Sequence, residues 1–263
     1  MHGDSQVLYA VEGGVAWLTL NEPPANCYSH ALMRALDDAI LAARFDDDVH
    51  VIVLTGAGEK FFCAGADIQM LQDVTPTFKY QFCLHANETL RRLEETPKLV
   101  IAAINGHCVG GGLEIALAAD LRVSRAGEHK LGLPEVHLGV LPGTGGTQRL
   151  ARALGRSAAI EMMATGRNLS VQEALEAGLI NTLLPDGDFR AAVQTHAQTF
   201  CPPQKASMAV GRIKRAVQTG LELELGAGLA LERELQQQLF MSEDAAEGLA
   251  AFSEKRKPVF KGR

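Results

Sequence analysis

An uninterrupted apolar run at residues 99–104 constrains the fold more than any other feature, because six consecutive nonpolar residues suit a strand buried on both faces. A second such run lies at residues 51–54, and residues 15–20 form a further strand candidate. Between them, Ser29 can cap a helix that reaches about Phe45, with apolar residues repeating on one face. Strands that alternate with helices in this way predict an α/β fold with a buried parallel sheet.

The alternation continues to about residue 185, and only helical periodicity follows it. Helices are predicted at residues 81–95, 110–119, 147–154 and 158–164, and strands at residues 121–123, 130–136 and 179–184. Ser170 and Glu173 form a capping box for one more helix, which Gly178 ends. Later helices are expected at residues 189–199, 204–219, 222–240 and 243–254. These patterns predict an α/β core over residues 1–200 and a C-terminal helical region over residues 201–263.

Composition and motifs disfavour several classes of protein. A net charge of −6 argues against binding to nucleic acid, although basic residues gather near the end of the chain. The five cysteines include no Cys-x-x-Cys pair, so reduced thiols rather than a zinc site are expected. No apolar run reaches the roughly 18 residues that a membrane span requires, and residues 1–4 start no signal-peptide pattern. We therefore expect a cytoplasmic protein of bacterial type, or the mature form of an organellar one, with no metal site, nucleic-acid partner or membrane segment.

Three turns that contain glycine carry the candidate chemistry. Residues 110–112 are glycines that lead to Glu114, Glu135 lies shortly before a glycine-rich turn at residues 143–146, and Gly65 lies in a third turn. Small residues expose backbone N–H groups, and two such turns can aim a pair of donors at one oxygen. A nearby carboxylate is then a candidate acid or base. From the residues alone, Glu114 can also be an ordinary carboxylate in the first turn of a helix, and Glu135 a surface-loop glutamate.

The order of these motifs resembles the crotonase superfamily, and within it the enoyl-CoA hydratases. The resemblance extends almost from end to end and rests on Leu20-Asn21-Glu22-Pro23, Phe62-Cys63-Ala64-Gly65-Ala66-Asp67-Ile68, residues 104–114, Leu133-Pro134-Glu135, residues 138–150, Asp244, Glu247-Gly248, Phe252 and Glu254-Lys255-Arg256-Lys257. It implies a crotonase-like spiral of repeated strand–strand–helix units, followed by a C-terminal helical oligomerisation region. It also implies a homotrimer or a dimer of trimers.

The same resemblance implies the addition of water to a trans-2-enoyl-CoA, with the coenzyme A thioester as substrate and no further cofactor. The backbone N–H groups of Ala66 and Gly111 would hold the thioester oxygen as an oxyanion hole. Glu135 would be the principal acid/base, and Glu114 would orient and activate water. Further contacts with coenzyme A or substrate are implied at Ala25, Ala64, Asp67, Ile68 and Gln69. In the tail, Phe252 and Lys255 would share a helical face and reach the coenzyme A of a neighbouring subunit.

Several alternatives stay open at this point. An enoyl-CoA isomerase or a specialised acyl-CoA dehydratase of the same fold needs only one well-placed carboxylate, which would be Glu135. An RNA-binding relative is disfavoured by the acidic charge, and a non-catalytic subunit by the presence of both glutamates. Asp67 can cap the next helix instead of touching a ligand. The turn at residues 143–146 is expected to shape the acyl pocket, Cys63 and Cys108 to lie in the core, and His107 and His137 to have structural roles.

The sequence departs from the common pattern of the family at two places. Cys27-Tyr28 stands where a small residue followed by leucine is more usual, and Gln69 stands where many members carry lysine. Both departures leave the glutamates intact. They concern the acyl group that is accepted, which the sequence does not determine.

Overall fold

The computed structural model of the chain describes residues 5–185 and 187–263. Its strands are β1 (Val7–Glu12), β2 (Val15–Leu20), β3 (Val51–Gly56), β4 (Phe61–Cys63), β5 (Leu99–Ile104), β6 (His107–Val109), β7 (Leu121–Arg125), β8 (Lys130–Gly132), β9 (Asn168–Ser170) and β10 (Thr182–Leu184). Its helices are α1 (His30–Phe45), α2 (Ile68–Asp73), α3 (Pro76–Glu94), α4 (Gly111–Leu117), α5 (Gly146–Leu154), α6 (Arg156–Thr165), α7 (Val171–Glu176), α8 (Phe189–Gln198), α9 (Ser207–Gly220), α10 (Leu225–Phe240) and α11 (Glu243–Glu254). Residues 1–4, on which the targeting expectation rests, lie outside the described residues.

A six-stranded sheet forms the main layer of the fold, in the order β1-β2-β3-β5-β7-β10. Strand β1 pairs with β2 in antiparallel fashion, and the remaining neighbours are parallel. Every residue of β3 and of β5 is buried, as the apolar runs predict. Successive side chains of β3 enter two different cores, because Ile52 and Leu54 belong to the larger cluster and Val51 and Val53 to the smaller.

The four-stranded second sheet, in the order β4-β6-β8-β9, positions the candidate site. Strands β4, β6 and β8 run parallel to one another. Their carboxyl ends lead directly into the turns that contain Gly65, Gly110 and Glu135. Since the carboxyl ends of parallel strands lie at one edge of a sheet, the three turns meet although they are far apart in sequence.

The C-terminal helices contact the core through apolar packing and a buried ion pair. Helix α8 covers the smaller core, to which it contributes Val193 and Ala197. In α9, the ammonium of Lys214 lies 2.9 Å from the carboxylate of Asp120, and both side chains are at least nine-tenths buried. No helix in residues 5–185 and 187–263 is both long and apolar enough to cross a membrane.

The structure confirms many predicted elements and corrects others. Strands β2, β3 and β5, helix α1 with its Ser29 cap, and the Ser170–Glu173 capping box agree with the prediction. The strand predicted at residues 130–136 is wrong after Gly132, because a short 3₁₀ helix occupies Glu135–Leu138. Helix α3 begins earlier than predicted, at Pro76, where the Thr75 hydroxyl caps it. Strand β1 was not predicted, β10 is shorter than expected, and α10 begins only at Leu225.

Candidate active site

The turns after β4 and β6 approach each other closely, and their geometry depends on glycine. A Cβ added to Gly65 would lie 3.3 Å from the backbone N of Gly111. Gly110 has a φ of 56°, a conformation that other residues rarely adopt. The N–H group of Asp67 donates to the oxygen of Tyr28, and that of Gly110 donates to the oxygen of Gly132. The N–H groups of Ala66 and Gly111 have no acceptor among the described residues. These two N–H groups are the predicted pair of donors.

Asn26 holds the segment before α1 against the β3–β4 connection and the start of β4. Its side-chain amide donates to the carbonyl oxygens of Ala57, at 2.9 Å, and of Phe61, at 3.0 Å. The backbone then adds a bond of 3.0 Å from the N–H of Ala64 to the oxygen of Ala25. The predicted contact residues Ala25 and Ala64 are therefore neighbours, and Ala64 lies two residues before Ala66 of the donor pair.

Glu114 is fully buried in the first turn of α4 and is bound by the glycine-rich turn at residues 143–146. Its Oε1 accepts the backbone N–H of Thr144 at 2.7 Å and that of Gly146 at 2.8 Å. Its Oε2 accepts the hydroxyl of Thr144. A carboxylate offers about four acceptor positions, so these bonds leave one of them, on Oε2. The turn that was expected to shape the acyl pocket also orients this carboxylate.

Glu135 lies beside the same glycine turn as Glu114, but its surroundings differ. Its Oε1 is 3.1 Å from the point that a Cβ on Gly110 would occupy. Its Oε2 is buried and has no hydrogen-bond partner within the described residues. The pKa of Glu135 is raised to about 7, chiefly by burial and in smaller part by the charge of Glu114, while a hydrogen bond with its own backbone and the Lys79 ammonium oppose the rise. A carboxyl group with a pKa near neutrality suits proton transfer in either direction.

Tyr28 is buried beside both glycine turns and was not among the predicted site residues. Its ring stands where a side chain on Gly111 would be, since a Cβ there would lie 1.9 Å from Cε1 of Tyr28. Its backbone N–H donates to the oxygen of Gly65 at 2.9 Å, and its own oxygen accepts the N–H of Asp67 at 3.2 Å. Its hydroxyl lies 3.4 Å from Oγ1 of Thr144. Burial, followed by the nearby charge of Glu114, raises the pKa of Tyr28 well above its usual value.

The remaining contact residues predicted near the donor pair belong to α2 or its cap. Asp67 is the N-cap, because its carboxylate accepts the N–H groups of Gln69, at 2.9 Å, and Met70, at 3.3 Å. Ile68 and Gln69 follow it and are exposed. The structure thus gives Asp67 the capping role that the sequence left open, and it leaves the side chains of Ile68 and Gln69 accessible.

The two predicted tail residues do not share a helical face, which corrects that part of the prediction. Helix α11 ends at Glu254, and Lys255 takes a left-handed conformation with φ of 54°. Phe252 is 87% exposed, and among the described residues neither side chain forms a hydrogen bond or ion pair. Within this single chain, the structure therefore does not bring Phe252 and Lys255 together with the glutamates.

The cysteines and histidines near the motifs fit structural roles. Cys63 and Cys108 are fully buried, and burial raises the pKa of Cys63 to about 12. His107 accepts the N–H of Lys130 at Nδ1, over 3.1 Å, and His137 packs against Gly166 on the surface of the 3₁₀ helix. Within residues 5–185 and 187–263, no group of three or more His, Cys, Asp and Glu residues is placed to hold a metal ion.

Sequence reasoning missed Thr144 and Tyr28 as parts of the site. Thr144 lies in a turn that the sequence analysis identified by its glycines, and no sequence pattern indicated that its hydroxyl binds Glu114. The signal for Tyr28 was its departure from the family pattern, which was assigned only to the choice of acyl group. Both contacts join segments that are 30 and 116 residues apart, so no local pattern records them.

Comparisons with known proteins identify the family and the fold. A family model described as enoyl-CoA hydratase/isomerase matches residues 10–263. The putative enoyl-CoA hydratase/isomerase YngF of Bacillus subtilis is 39% identical over 99% of each chain. The short-chain-enoyl-CoA hydratase of Clostridium acetobutylicum is 37% identical over 96% of each chain. The crystal structure of an enoyl-CoA hydratase from Geobacillus kaustophilus has a TM-score of 0.96 at 45% identity, and the match covers 99% of this chain and 98% of that one.

Proposed function

Because the chain belongs to the enoyl-CoA hydratase/isomerase family, we propose that it adds water to a trans-2-enoyl-CoA and forms a 3-hydroxyacyl-CoA. One observation carries the proposal: the buried Glu114 and the partly buried Glu135 lie beside the same glycine turns in different environments. Glu114 is bound by three hydrogen bonds, whereas Glu135 has a buried oxygen without a partner and a pKa of about 7. Carboxyl groups whose environments differ in this way commonly divide the roles of base and acid.

The thioester oxygen is proposed to lie between the N–H groups of Ala66 and Gly111. Neither group has another acceptor among the described residues. When the oxygen of water adds to C3 of the enoyl group, an enolate forms and negative charge develops on the thioester oxygen. Donors already in place stabilise that charge without reorganising, and losing one such donor typically costs about 3–4 kcal/mol.

Water is proposed to bind at the one acceptor position left on Glu114 Oε2. Glu114 takes a proton from this water as the oxygen attacks C3. Glu135, protonated in a large fraction of molecules near neutral pH because of its raised pKa, gives its proton to C2. The product carries the hydroxyl of water at C3 and the Glu135 proton at C2, and transfer of the proton left on Glu114 restores Glu135.

A double-bond isomerase is the second candidate, and the raised pKa of Glu135 favours it as much as it favours hydration. Moving a proton between C2 and C4 requires one group that both accepts and donates. One relative, YngF, carries both activities in its name. The three hydrogen bonds that hold Glu114 argue for hydration, since isomerisation needs no oriented water.

The remaining parts of the proposal concern the substrate's coenzyme A and the assembly. The reaction as proposed needs no cofactor besides the thioester substrate itself. Lys255 and Phe252 are accessible at the end of α11. We propose that they contact the coenzyme A bound by a neighbouring subunit in a homotrimer or a dimer of trimers.

The test is a panel of enoyl-CoA thioesters with short, medium, branched and aromatic acyl groups. Hydration removes the conjugated double bond, so absorbance of the enoyl-thioester band should fall and a 3-hydroxyacyl-CoA should accumulate. The control is Glu128→Gln, an exposed glutamate in the loop between β7 and β8, which should leave the rate unchanged. An isomerase would instead produce the conjugated band from a 3-enoyl-CoA. Absence of both changes across the panel would contradict the proposed function.

A further inference from the structure

The hydroxyl of Tyr28 is directed at the side chain that orients Glu114. Tyr28 is 3% exposed, and its hydroxyl lies 3.4 Å from Oγ1 of Thr144. The Thr144 hydroxyl in turn binds Oε2 of Glu114, the carboxylate oxygen that keeps a free acceptor position. We propose that Tyr28 is a positioning residue, which orients the water-activating carboxylate through Thr144. This inference rests on the proposed hydration reaction.

The direction of the two hydrogen bonds follows from donor and acceptor chemistry. A carboxylate only accepts, so the Thr144 hydroxyl must use its single hydrogen toward Glu114. The lone pairs of Thr144 Oγ1 then remain, and only the Tyr28 hydroxyl can be the donor of the second bond. Its length of 3.4 Å exceeds the 2.7–2.8 Å typical of O–H···O bonds. Such contacts often shorten when substrate is bound.

The surroundings of Tyr28 limit the positions that its ring can take. Cε1 of the ring fills the space beside Gly111, and the Phe82 ring lies 5.6 Å away on another side. The backbone of Tyr28 is bonded in both directions to the turn at residues 65–67. A ring held in this way keeps its hydroxyl beside Oγ1 of Thr144, and a positioning contact requires a fixed position of this kind.

The orientation of Oε2 matters because it decides where the attacking water lies. Oε1 of Glu114 is held by two backbone N–H groups and has no acceptor position left. Rotation of the Thr144 hydroxyl away from Oε2 would free a second position there, and water could then bind off the line toward C3. Small misplacements of a reacting group reduce rate more than they reduce binding.

The first experiment compares Tyr28→Phe with the wild-type protein. Phenylalanine keeps the ring beside Gly111 and Phe82 and removes only the hydroxyl. We expect kcat for hydration to fall about two- to tenfold, as for loss of one neutral hydrogen bond, with KM unchanged. The control is Tyr9→Phe in the edge strand β1, where the same change should leave kcat unchanged. An unchanged kcat in Tyr28→Phe overturns the inference.

A second readout separates positioning of water from damage to the whole site. Exchange of the C2 hydrogen of a saturated acyl-CoA in D₂O breaks a C–H bond, passes the proton to Glu135 and returns deuterium, and it uses no attacking water. Tyr28→Phe should therefore keep the wild-type exchange rate. Loss of exchange in parallel with loss of hydration assigns Tyr28 to packing around the turns and overturns the inference.

A double-variant comparison tests whether Tyr28 acts through Thr144. Thr144→Val should lower kcat about ten- to a hundredfold, because it removes a bond to a charged group. In that background, Tyr28→Phe should change kcat less than about twofold. If the two substitutions instead lower kcat by independent factors that multiply in the double variant, the inference is overturned while the proposed function stays intact. If the wild-type protein hydrates no thioester of the panel, the proposed function fails, and the inference fails with it because no water is to be positioned.

Discussion

Thr144 binds the carboxylate of Glu114 through both its backbone N–H and its hydroxyl, although 30 residues separate the two along the chain. The contact joins the turn before α5 to the first turn of α4 and holds a buried carboxylate in one orientation. Glu135 has no such set of donors, and one of its oxygens is buried without a partner among the described residues. Two glutamate side chains therefore differ in hydrogen bonding and in protonation because their surroundings differ.

Glu114→Gln should separate stability from hydration. The amide oxygen can still accept the N–H groups of Thr144 and Gly146, so we expect little change in the free energy of unfolding. The base for water is lost, so kcat for hydration should fall by about 10²–10⁴. Hydration assays and denaturant unfolding on the same sample check both parts. Hydration within a few-fold of wild type would contradict the role of Glu114, and retained isomerisation of a 3-enoyl-CoA would favour the second candidate function.

The pH dependence should report the state of Glu135. Its pKa is raised to about 7, and hydration needs the protonated acid. We expect kcat/KM for hydration to decline as pH rises through about 7, and kcat/KM for the reverse dehydration, which needs the ionised base, to increase over the same range. Steady-state rates in both directions provide the measurement. In Glu135→Gln the residual rate should be about 10²–10⁴ lower and should lack this inflection, and an unchanged inflection would assign it to another group.

Gly111→Ala should destabilise the fold as well as the donor pair. A Cβ there would lie 1.9 Å from the Tyr28 ring, so the ring or α4 must move. Overpacking of this kind typically costs about 1–3 kcal/mol, which urea unfolding can measure. The control is Gly220→Ala at the end of α9, where no atom lies within 4 Å and stability should be kept or slightly increased. Adding Tyr28→Leu should recover part of the loss, and no recovery would contradict the steric explanation.

The protein should assemble through its C-terminal helices. Leu221, Leu225 and Phe240 are 67–79% exposed in the single chain, in a region that contributes little to the two cores. Burying such side chains on association is favourable by about 25 cal/mol for each Å² of apolar surface. Light scattering at micromolar concentration should show a trimer or a dimer of trimers. Leu225→Asp should shift the mass downward and Leu8→Asp in β1 should not, whereas a stable wild-type monomer would contradict the expectation.

Lys255→Ala should weaken binding of the coenzyme A end of the substrate. A phosphate contact far from the thioester binds substrate and transition state alike, so KM should rise about two- to tenfold with a smaller change in kcat. The effect should shrink as salt increases, because the side chain is exposed. Lys257→Ala is the control in the same basic segment. If Lys255→Ala weakens a truncated pantetheine thioester as much as the full substrate, Lys255 does not contact the nucleotide end.

The elements that local patterns describe were predicted closely. The buried strands β3 and β5, helix α1 and its Ser29 cap, and the Ser170–Glu173 capping box depend on neighbouring residues along the chain, so their signals are present in short windows of sequence. The prediction was wrong where a local pattern has two outcomes. Residues 130–136 were predicted as one strand, but the strand ends at Gly132 and a 3₁₀ helix occupies Glu135–Leu138. The predicted end of α11 at residue 254 is confirmed, but the shared helical face expected for Phe252 and Lys255 was wrong, because Lys255 lies beyond the helix in a left-handed conformation.

The sequence by itself determined the family, the alternation of strands and helices in the core and the presence of two glutamates beside glycine turns. Only the tertiary structure decided what surrounds each glutamate. Three parallel strands of the second sheet bring together turns that are distant in sequence, and that meeting places Thr144 on Glu114, Tyr28 beside Gly111 and Glu135 beside Gly110. Hydrogen bonding and burial depend on these long-range contacts. A carboxyl pKa near 7 is therefore a property of the folded chain, which no stretch of its sequence contains.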